Sequence, residues 1–327
     1  MKPRAILKDI AKASGLDLST VSRALRNTGT VSQHTRRRLQ ALAREMGYRP
    51  NPVIASMAAK RRDSTKSLAV PLALIDVKSG LIPRSAHVRA QALGYRLELF
   101  RIEQGREAEL ARVLYNRGFV GIILGQLYGY QSLPDLKWEH FSVVKIGEES
   151  FPVPFHHVRS SPYNAIRVTW REIRRRGYKR IGAILYQHDP VHPDDGILHG
   201  AVLHEQSCLG PDEIAIPPLR CGMAEVAPIP KWFRRHRPDA VLAYHAGAYY
   251  ALRDAGVPIG AKVGFASLNL DPDAEHDFSG ILSSSRNILR HAVDLIDLQL
   301  RHNVYGPVEE PTYTLITASW REGKTLS

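Results

Sequence analysis

The sequence predicts a small all-helical unit at the N-terminus, followed by a larger α/β region of doubly wound parallel sheets. Three observations carry this. The first fifty residues hold three apolar patterns at helical spacing; from Leu68 onward, short apolar runs alternate with helix-length segments; and several of those segments end in glycine followed by an aromatic or apolar residue. The chain has 327 residues, 44% of them hydrophobic, enough for two or three cores.

The helical unit comes first in the chain. Leu7, Ile10 and Ala11, then Val21, Ala24 and Leu25, then Leu39, Leu42, Ala43 and Met46 each form one buried stripe at i, i+3, i+4 spacing. Asp17 is placed to cap the second helix and Ser32 the third, while Gly47 suits the left-handed residue that closes the third. After Tyr48 comes RPNPVIASMAAKRRDSTKS, in which Asn51 can cap and Pro52 can open a helix of about eight residues. The polar stretch from Arg61 to Ser67 reads as a linker. The expected units are residues 1–50, a hinge helix and linker over 51–63, and a two-lobe region over 64–327.

In that region LAVPLALI, RLELFRI, VGIILG, SVVKIG, RIGAILY, AVLAYH and KVGFASL are strand candidates. ALGYRLELF, NRGFVGIIL, RRGYKRIGAIL and DAGVPIGAKVGF each place a glycine where a helix must stop, and the next residue can pack back on the helix end. Repeated units of this kind imply right-handed crossovers and a parallel sheet, with ligands at the carboxyl ends of the strands.

Charge is concentrated at one end. Residues 1–62 carry 14 Lys and Arg against 3 Asp and Glu, whereas the whole chain has a net charge of +13, so the remainder is close to neutral. A cationic N-terminus of this kind points to a polyanionic partner, because neutralising phosphates releases counterions. No apolar run reaches the roughly 18 residues of a membrane span, and MKPRAILKDIAKAS lacks a signal-peptide core, so a cytoplasmic location with no membrane partner is expected. Cys208 and Cys221 stand without a CxxC neighbour and are expected to be reduced, ordinary thiols.

Two short helices joined by Gly15, Leu16 and Asp17, the second opening with Leu18, Ser19 and Thr20, fit a helix-turn-helix whose second helix enters the major groove end-on. Leu18 can touch a thymine methyl, Ser19 can hydrogen-bond a base edge, and Arg23, one turn on, can reach a guanine. The plainer reading of the same pattern is a three-helix bundle with a solvated basic face. The stretch KDIAKASGLDLSTVSRAL followed by VSQHTRRRLQALAREMGYRPNP resembles the DNA-binding headpiece of the LacI/GalR family of bacterial transcription regulators, departing at Asp17, where serine is usual, and at Arg26, where asparagine is common. The resemblance implies base contacts by Leu18, Ser19 and Arg23, and phosphate contacts by Thr20, Ser22, Ser32, Thr35, Tyr48 and Asn51. It also implies a hinge helix over residues 51–59, in which Met57 stands where the family has a leucine wedged into the minor groove.

The resemblance continues more loosely through the rest of the chain. It implies a periplasmic-binding-protein-like effector domain, a homodimer acting as a repressor on a palindromic double-stranded DNA operator, and a small-molecule effector of unknown identity, a sugar or a derivative, held between two lobes. The first lobe is expected over Ser64 to Val158 plus about Arg286 to Tyr313. Sugar-binding members commonly carry Arg-x-x-Gly and Gly-aromatic-Asp in the second lobe. Here Ile197, Leu198, His199, Gly200 and Gly264, Phe265, Ala266 stand there, which argues against the usual sugar contacts.

Polar candidates for the crevice are Asp76, Ser160, Ser161, His188, Asp189, His192, Asp194, Asp195, Ser284 and Arg286. Neither a catalytic set nor a cofactor is expected. HDPVHPDDGILH invites a rival metal-hydrolase reading, but its spacing follows no ligand motif. A secreted sugar-binding protein would share the two lobes, but the basic N-terminal unit and the missing signal-peptide core speak against it. A regulator whose pocket has decayed, binding DNA constitutively, is compatible with the same residues.

Overall fold

The computed structural model describes residues 7–25, 31–48, 69–77, 82–103, 105–127, 133, 136–147, 151–189, 191–222, 224–273 and 277–327. The expected positions Asn51 and Met57, with the hinge helix, lie outside these.

The N-terminal unit is three helices, α1 Leu7–Ser14, α2 Leu18–Leu25 and α3 Gln33–Glu45. Ile10, Val21, Ala24, Leu39 and Ala43 close a core among them, with Leu7, Leu25, Leu42, Met46 and Tyr48 packed around it. Gly15 turns the chain from α1 to α2 at φ +71°, a conformation that costs glycine little. Ser32 accepts the Thr35 amide at 3.1 Å and so caps α3. Past its end Gly47 sits at φ +66°, and the Tyr48 amide donates back to the Ala43 carbonyl.

The first α/β lobe starts with β1 Val70–Asp76, α4 Arg84–Ala92, β2 Tyr95–Arg101, α5 Glu107–Asn116, β3 Gly121–Leu124, β4 Ser142–Ile146 and β5 His156–Ser160. The chain then builds the second lobe. Its elements are α6 Pro162–Arg175, β6 Ile181–Tyr186, α7 Pro193–Ser207, β7 Leu219–Cys221, α8 Pro228–His236, β8 Ala240–Ala243, α9 Gly247–Asp254, β9 Gly264–Leu270 and β10 Ser279–Leu282. It returns to the first lobe for α10 Ser285–Arg301 and β11 Tyr313–Ile316, and ends with β12 Ser319–Arg321 in the second.

Each lobe has a six-stranded sheet, ordered β11-β5-β4-β3-β1-β2 and β12-β10-β9-β8-β6-β7. Every pairing is parallel except β10 with β12. Helices cover both faces. In the first lobe, Leu72, Leu74 and Ile123 pack on α10 through Val293 and Ile296, while Ala73, Ile75 and Ile122 pack on the opposite side with Leu114 and Phe155. Strands buried on both faces explain the near-continuous apolar runs in the sequence.

The glycines expected to end helices do so: Gly94, Gly118, Gly177 and Gly256 have φ between +72° and +89°. Tyr95 and Phe119, which follow two of them, are buried. Cys208 is exposed, Cys221 is buried, and both are free thiols.

The lobes are joined by three chain crossings, between β5 and α6, between β10 and α10, and between β11 and β12. All three lie at the carboxyl ends of strands that carry the chain toward the other lobe.

Candidate nucleic-acid interface and interlobe crevice

The start of α2 presents an exposed face. Leu18 is 51% exposed although apolar, and Ser19 and Arg23 are exposed beside it, while Val21 and Ala24 are buried on the other side. The helix thus turns its stripe inward and leaves Leu18, Ser19 and Arg23 together on the outside. The neighbouring hydroxyls of Thr20 and Ser22 are half-buried. Ser32 and Thr35, at the start of α3, are bonded to each other through their side chains at 2.8 Å. Tyr48 is half-buried with its ring against the helical core. Arg38 donates to the Ser14 carbonyl at 3.0 Å, tying α3 to the end of α1.

Asp17 organises this face more fully than a helix cap requires. Its Oδ1 accepts the Thr20 amide at 2.8 Å, the capping bond. The Ser19 hydroxyl donates to Oδ1 at 2.5 Å and the Thr20 hydroxyl to Oδ2 at 2.6 Å. These bonds, that of Ser19 foremost, hold the Asp17 carboxyl well below the usual carboxylate range. Arg23 folds back along the helix: its Nε donates to the Ser19 carbonyl at 3.2 Å, and its Nη2 donates to Ser19 Oγ at 3.2 Å and Thr20 Oγ1 at 3.4 Å. Sequence reasoning found the cap and missed the two hydroxyl bonds. The signal was there in the Asp-Leu-Ser-Thr order, because Asp side chains bond groups two and three residues on.

The second candidate site is the crevice between the lobes, with a volume of about 730 Å³ counted to its open mouth. The chain crossings form its base: Ser160, Ser161 and Pro162 at the first, Leu282 to Ser285 at the second, Ile316 and Ala318 at the third. Asp194, Tyr244 and Asn269 add polar groups from the second lobe, and Leu198, Leu268, Ile281 and Ile288 supply apolar wall. Of the expected residues, Ser160, Ser161, Asp194 and Ser284 meet here.

Tyr244, Asn269, Ser283 and Ser285 were missed. Tyr244 follows β8, Asn269 lies near the end of β9, and Ser283 and Ser285 follow β10, which was not recognised, so its carboxyl end could not be placed. Arg159, also missed, is buried and bonds Asp194 at 2.7 Å, joining β5 of the first lobe to α7 of the second.

The remaining candidates are elsewhere. Asp195 is buried at the start of α7, where it accepts the backbone amides of His188 at 2.9 Å and His192 at 3.3 Å and faces His188 Nδ1 at 2.6 Å. Burial works against its charge, but these bonds outweigh it and keep its carboxyl below the ordinary value. His192 caps the same helix by accepting the Asp194 amide at 3.2 Å. The stretch that invited a metal reading is therefore a helix start, and among the described residues no group of three or more His, Cys, Asp and Glu is arranged to hold a metal ion.

Asp189 is exposed on the loop before α7. Asp76 is buried at the end of β1, where its Oδ2 accepts the Gln126 amide at 3.3 Å. Arg286, on α10, pairs with Asp273 of the second lobe. None of these six lines the crevice.

Comparison with known proteins finds the same arrangement, a helix-turn-helix followed by two doubly wound lobes. Residues 6–51 match the family model described as "Bacterial regulatory proteins, lacI family". The chain is 30% identical over 125 residues to the HTH-type transcriptional regulator DegA of Bacillus subtilis (strain 168), covering 37% of this chain and 36% of DegA. It is 27% identical over 196 residues to the HTH-type transcriptional regulator TreR of Escherichia coli (strain K12), covering 58% of this chain and 60% of TreR. The matched stretches thus span between about a third and three fifths of these relatives.

Among solved structures, the lac repressor dimer bound to operator and the anti-inducer ONPF superposes with a TM-score of 0.58 at 18% identity, over 99% of each chain. That likeness shows the fold. Residues 6–51 thus match a lacI-family headpiece, and the whole chain shares the fold of the lac repressor.

Proposed function

We propose that this chain is a sequence-specific DNA-binding transcription regulator, a repressor, that acts in the cytoplasm as a homodimer on a palindromic operator. The observation that carries this reading is the exposed Leu18, Ser19 and Arg23 face at the start of a helix held by a dedicated small core. A dimer would set two such helices one duplex turn apart, roughly 34 Å. The lac repressor likeness, a dimer on its operator, supports that arrangement.

A small neutral molecule rich in hydroxyls, a sugar or a derivative, fits the crevice as effector. Its polar lining is serine, tyrosine and asparagine, and its one carboxylate, Asp194, is already neutralised by Arg159. Neither Ile197 nor Ala266 supplies the charged contact that sugar-binding relatives use, so recognition would rest on neutral hydrogen bonds. Binding there would bias how the lobes are set and, through the dimer, how the headpieces are spaced. A 100-fold change in operator affinity needs about 2.7 kcal/mol of such coupling.

The test is selection of bound fragments from genomic DNA at modest ionic strength. Enrichment of an inverted repeat is expected, and enrichment of no symmetric sequence over random duplex would end this reading. Affinity for the selected site should fall roughly 10³- to 10⁵-fold between 50 and 200 mM salt if 6 to 10 phosphates are contacted. Thermal melting against a metabolite library tests the effector. A ligand at 100 times its Kd adds about 2.7 kcal/mol, and a library with no stabilising member would leave a regulator that binds DNA constitutively.

A further inference from the structure

Asp17 sits between the hydroxyls that face the proposed duplex, and its charge decides what they can offer. An ionised carboxylate has no hydrogen, so a short contact between it and a hydroxyl uses the hydroxyl's own hydrogen. Ser19 Oγ at 2.5 Å from Oδ1 and Thr20 Oγ1 at 2.6 Å from Oδ2 are therefore both donors to Asp17. Each hydroxyl has a single hydrogen and two lone pairs. With the hydrogens committed, both oxygens have only lone pairs left, and Arg23 Nη2 approaches each of them as a donor. That approach fits oxygens already acting as acceptors.

We propose that Asp17 fixes the hydrogen-bonding polarity of the recognition face, so that Ser19 meets the major groove as an acceptor and reads the exocyclic amino group of adenine or cytosine. The inference rests on the DNA-binding reading above. Base edges in the major groove offer donors only at adenine N6 and cytosine N4, while guanine O6 and N7 and thymine O4 are acceptors. In the major groove every base pair presents one amino group, so the rule discriminates by strand: reversing the pair under Ser19 puts a keto oxygen where the amino group was. Two acceptors would then face each other. Thr20 obeys the same rule, and while Asp17 holds its hydrogen it has none to give a phosphate oxygen, which revises its expected role on the backbone.

Asp17→Ser is the direct test, since serine keeps a capping oxygen while removing the carboxylate. Asp17→Ala is the second variant: with no side-chain acceptor left at position 17, both hydroxyl hydrogens are released, at the cost of the cap. Full-length wild type, both variants and Ser19→Ala are each used to select from a library of inverted repeats with randomised half-sites, at one ionic strength, with circular dichroism to verify helix content.

For wild type, one position per half-site should favour adenine or cytosine over guanine or thymine on one strand by roughly tenfold or more. Ser19→Ala should erase that preference, and both Asp17 variants should admit keto bases at the same position while leaving other positions unchanged. Unaltered base ranking in the Asp17 variants, a keto preference in wild type, or no position sensitive to Ser19→Ala overturns the inference. Failure of wild type to enrich any symmetric sequence instead removes the DNA-binding reading on which it rests.

Discussion

Arg23 has two hydrogen-bonding lives in one side chain. Off DNA its guanidinium lies along α2, bonded to the Ser19 carbonyl and to two hydroxyls; to grip a guanine edge it must leave at least some of these. All three bonds are exposed and cost little to exchange. Arg23→Ala should relax preference at one base pair per half-site by about 1–3 kcal/mol, measured by binding to operators substituted one pair at a time. Equal weakening on every sequence would place Arg23 on the phosphates instead.

At this scale the sequence was legible where spacing does the work: Asp17, Ser32 and Gly47 occupy the caps that their residue types predict. It was illegible where a side chain has several uses. His192 and Asp195, chosen as ligand contacts because they are polar and near a strand end, are consumed by the start of α7. Arg159 was overlooked because its partner is 35 residues away on the other lobe.

Among the elements, recognised strands such as β1, β3 and β8 are buried on both faces, where apolar residues follow one another, and β2 was recognised although it is a partly solvated edge strand. The edge strands β7, β11 and β12 are short and partly solvated, with one side free of a neighbour. β5, HHVRS, is interior but pairs through its backbone, and among its side chains it buries only Val158 and Arg159. Hydrophobic pattern reports burial rather than hydrogen bonding, so such strands leave no signal.

Where β10 meets β9, a different constraint acts. Gly280 has φ +151°, and a Cβ there would lie 2.0 Å from the Ser267 backbone oxygen. Gly280→Ala should cost about 3 kcal/mol, read from chemical denaturation, since a backbone atom cannot step aside as a side chain can. A loss under about 0.5 kcal/mol would mean that the strand end relaxes freely.

His156 and His245, two of the histidines at element ends, serve as acceptors and so must be neutral. His156 Nδ1 accepts the Thr312 amide at 3.1 Å where β11 joins β5, and His245 Nδ1 accepts the Gly247 amide at 3.0 Å at the start of α9. Burial pushes both imidazoles below the ordinary histidine range. The unfolded chain therefore binds more protons, and stability, complete above about pH 6.5, falls as pH drops through that value toward the folded pKa values. Melting temperature should decline from pH 7.5 to 5.5, and His156→Gln with His245→Asn should reduce the slope. An identical slope in the double variant would show that other groups set it.

For the molecule as a whole, the two-lobe architecture could be read from the alternation of strands, helices and closing glycines, whereas the crevice was read only in part, at Ser160, Ser161, Asp194 and Ser284, because it is assembled from three chain crossings distant in sequence. Arg159 and Asp194 join the lobes beside that crevice. Asp194→Ala leaves Arg159 buried without its carboxylate and should cost about 3 kcal/mol in thermal or denaturant unfolding. Asp194→Asn, which keeps an acceptor, should cost less, and equal losses would show that charge is irrelevant there.

The three crossings also limit what a ligand can achieve. Segments 160–162, 282–285 and 316–319 tie the halves together side by side. Three nearby tethers suppress pulling apart and sliding, as stitches along the spine of a book do, and leave the pages one easy motion, a swing about the binding. A guest in the fold of that book acts with leverage: a small change of angle at the spine becomes a larger travel at the far rim of each half.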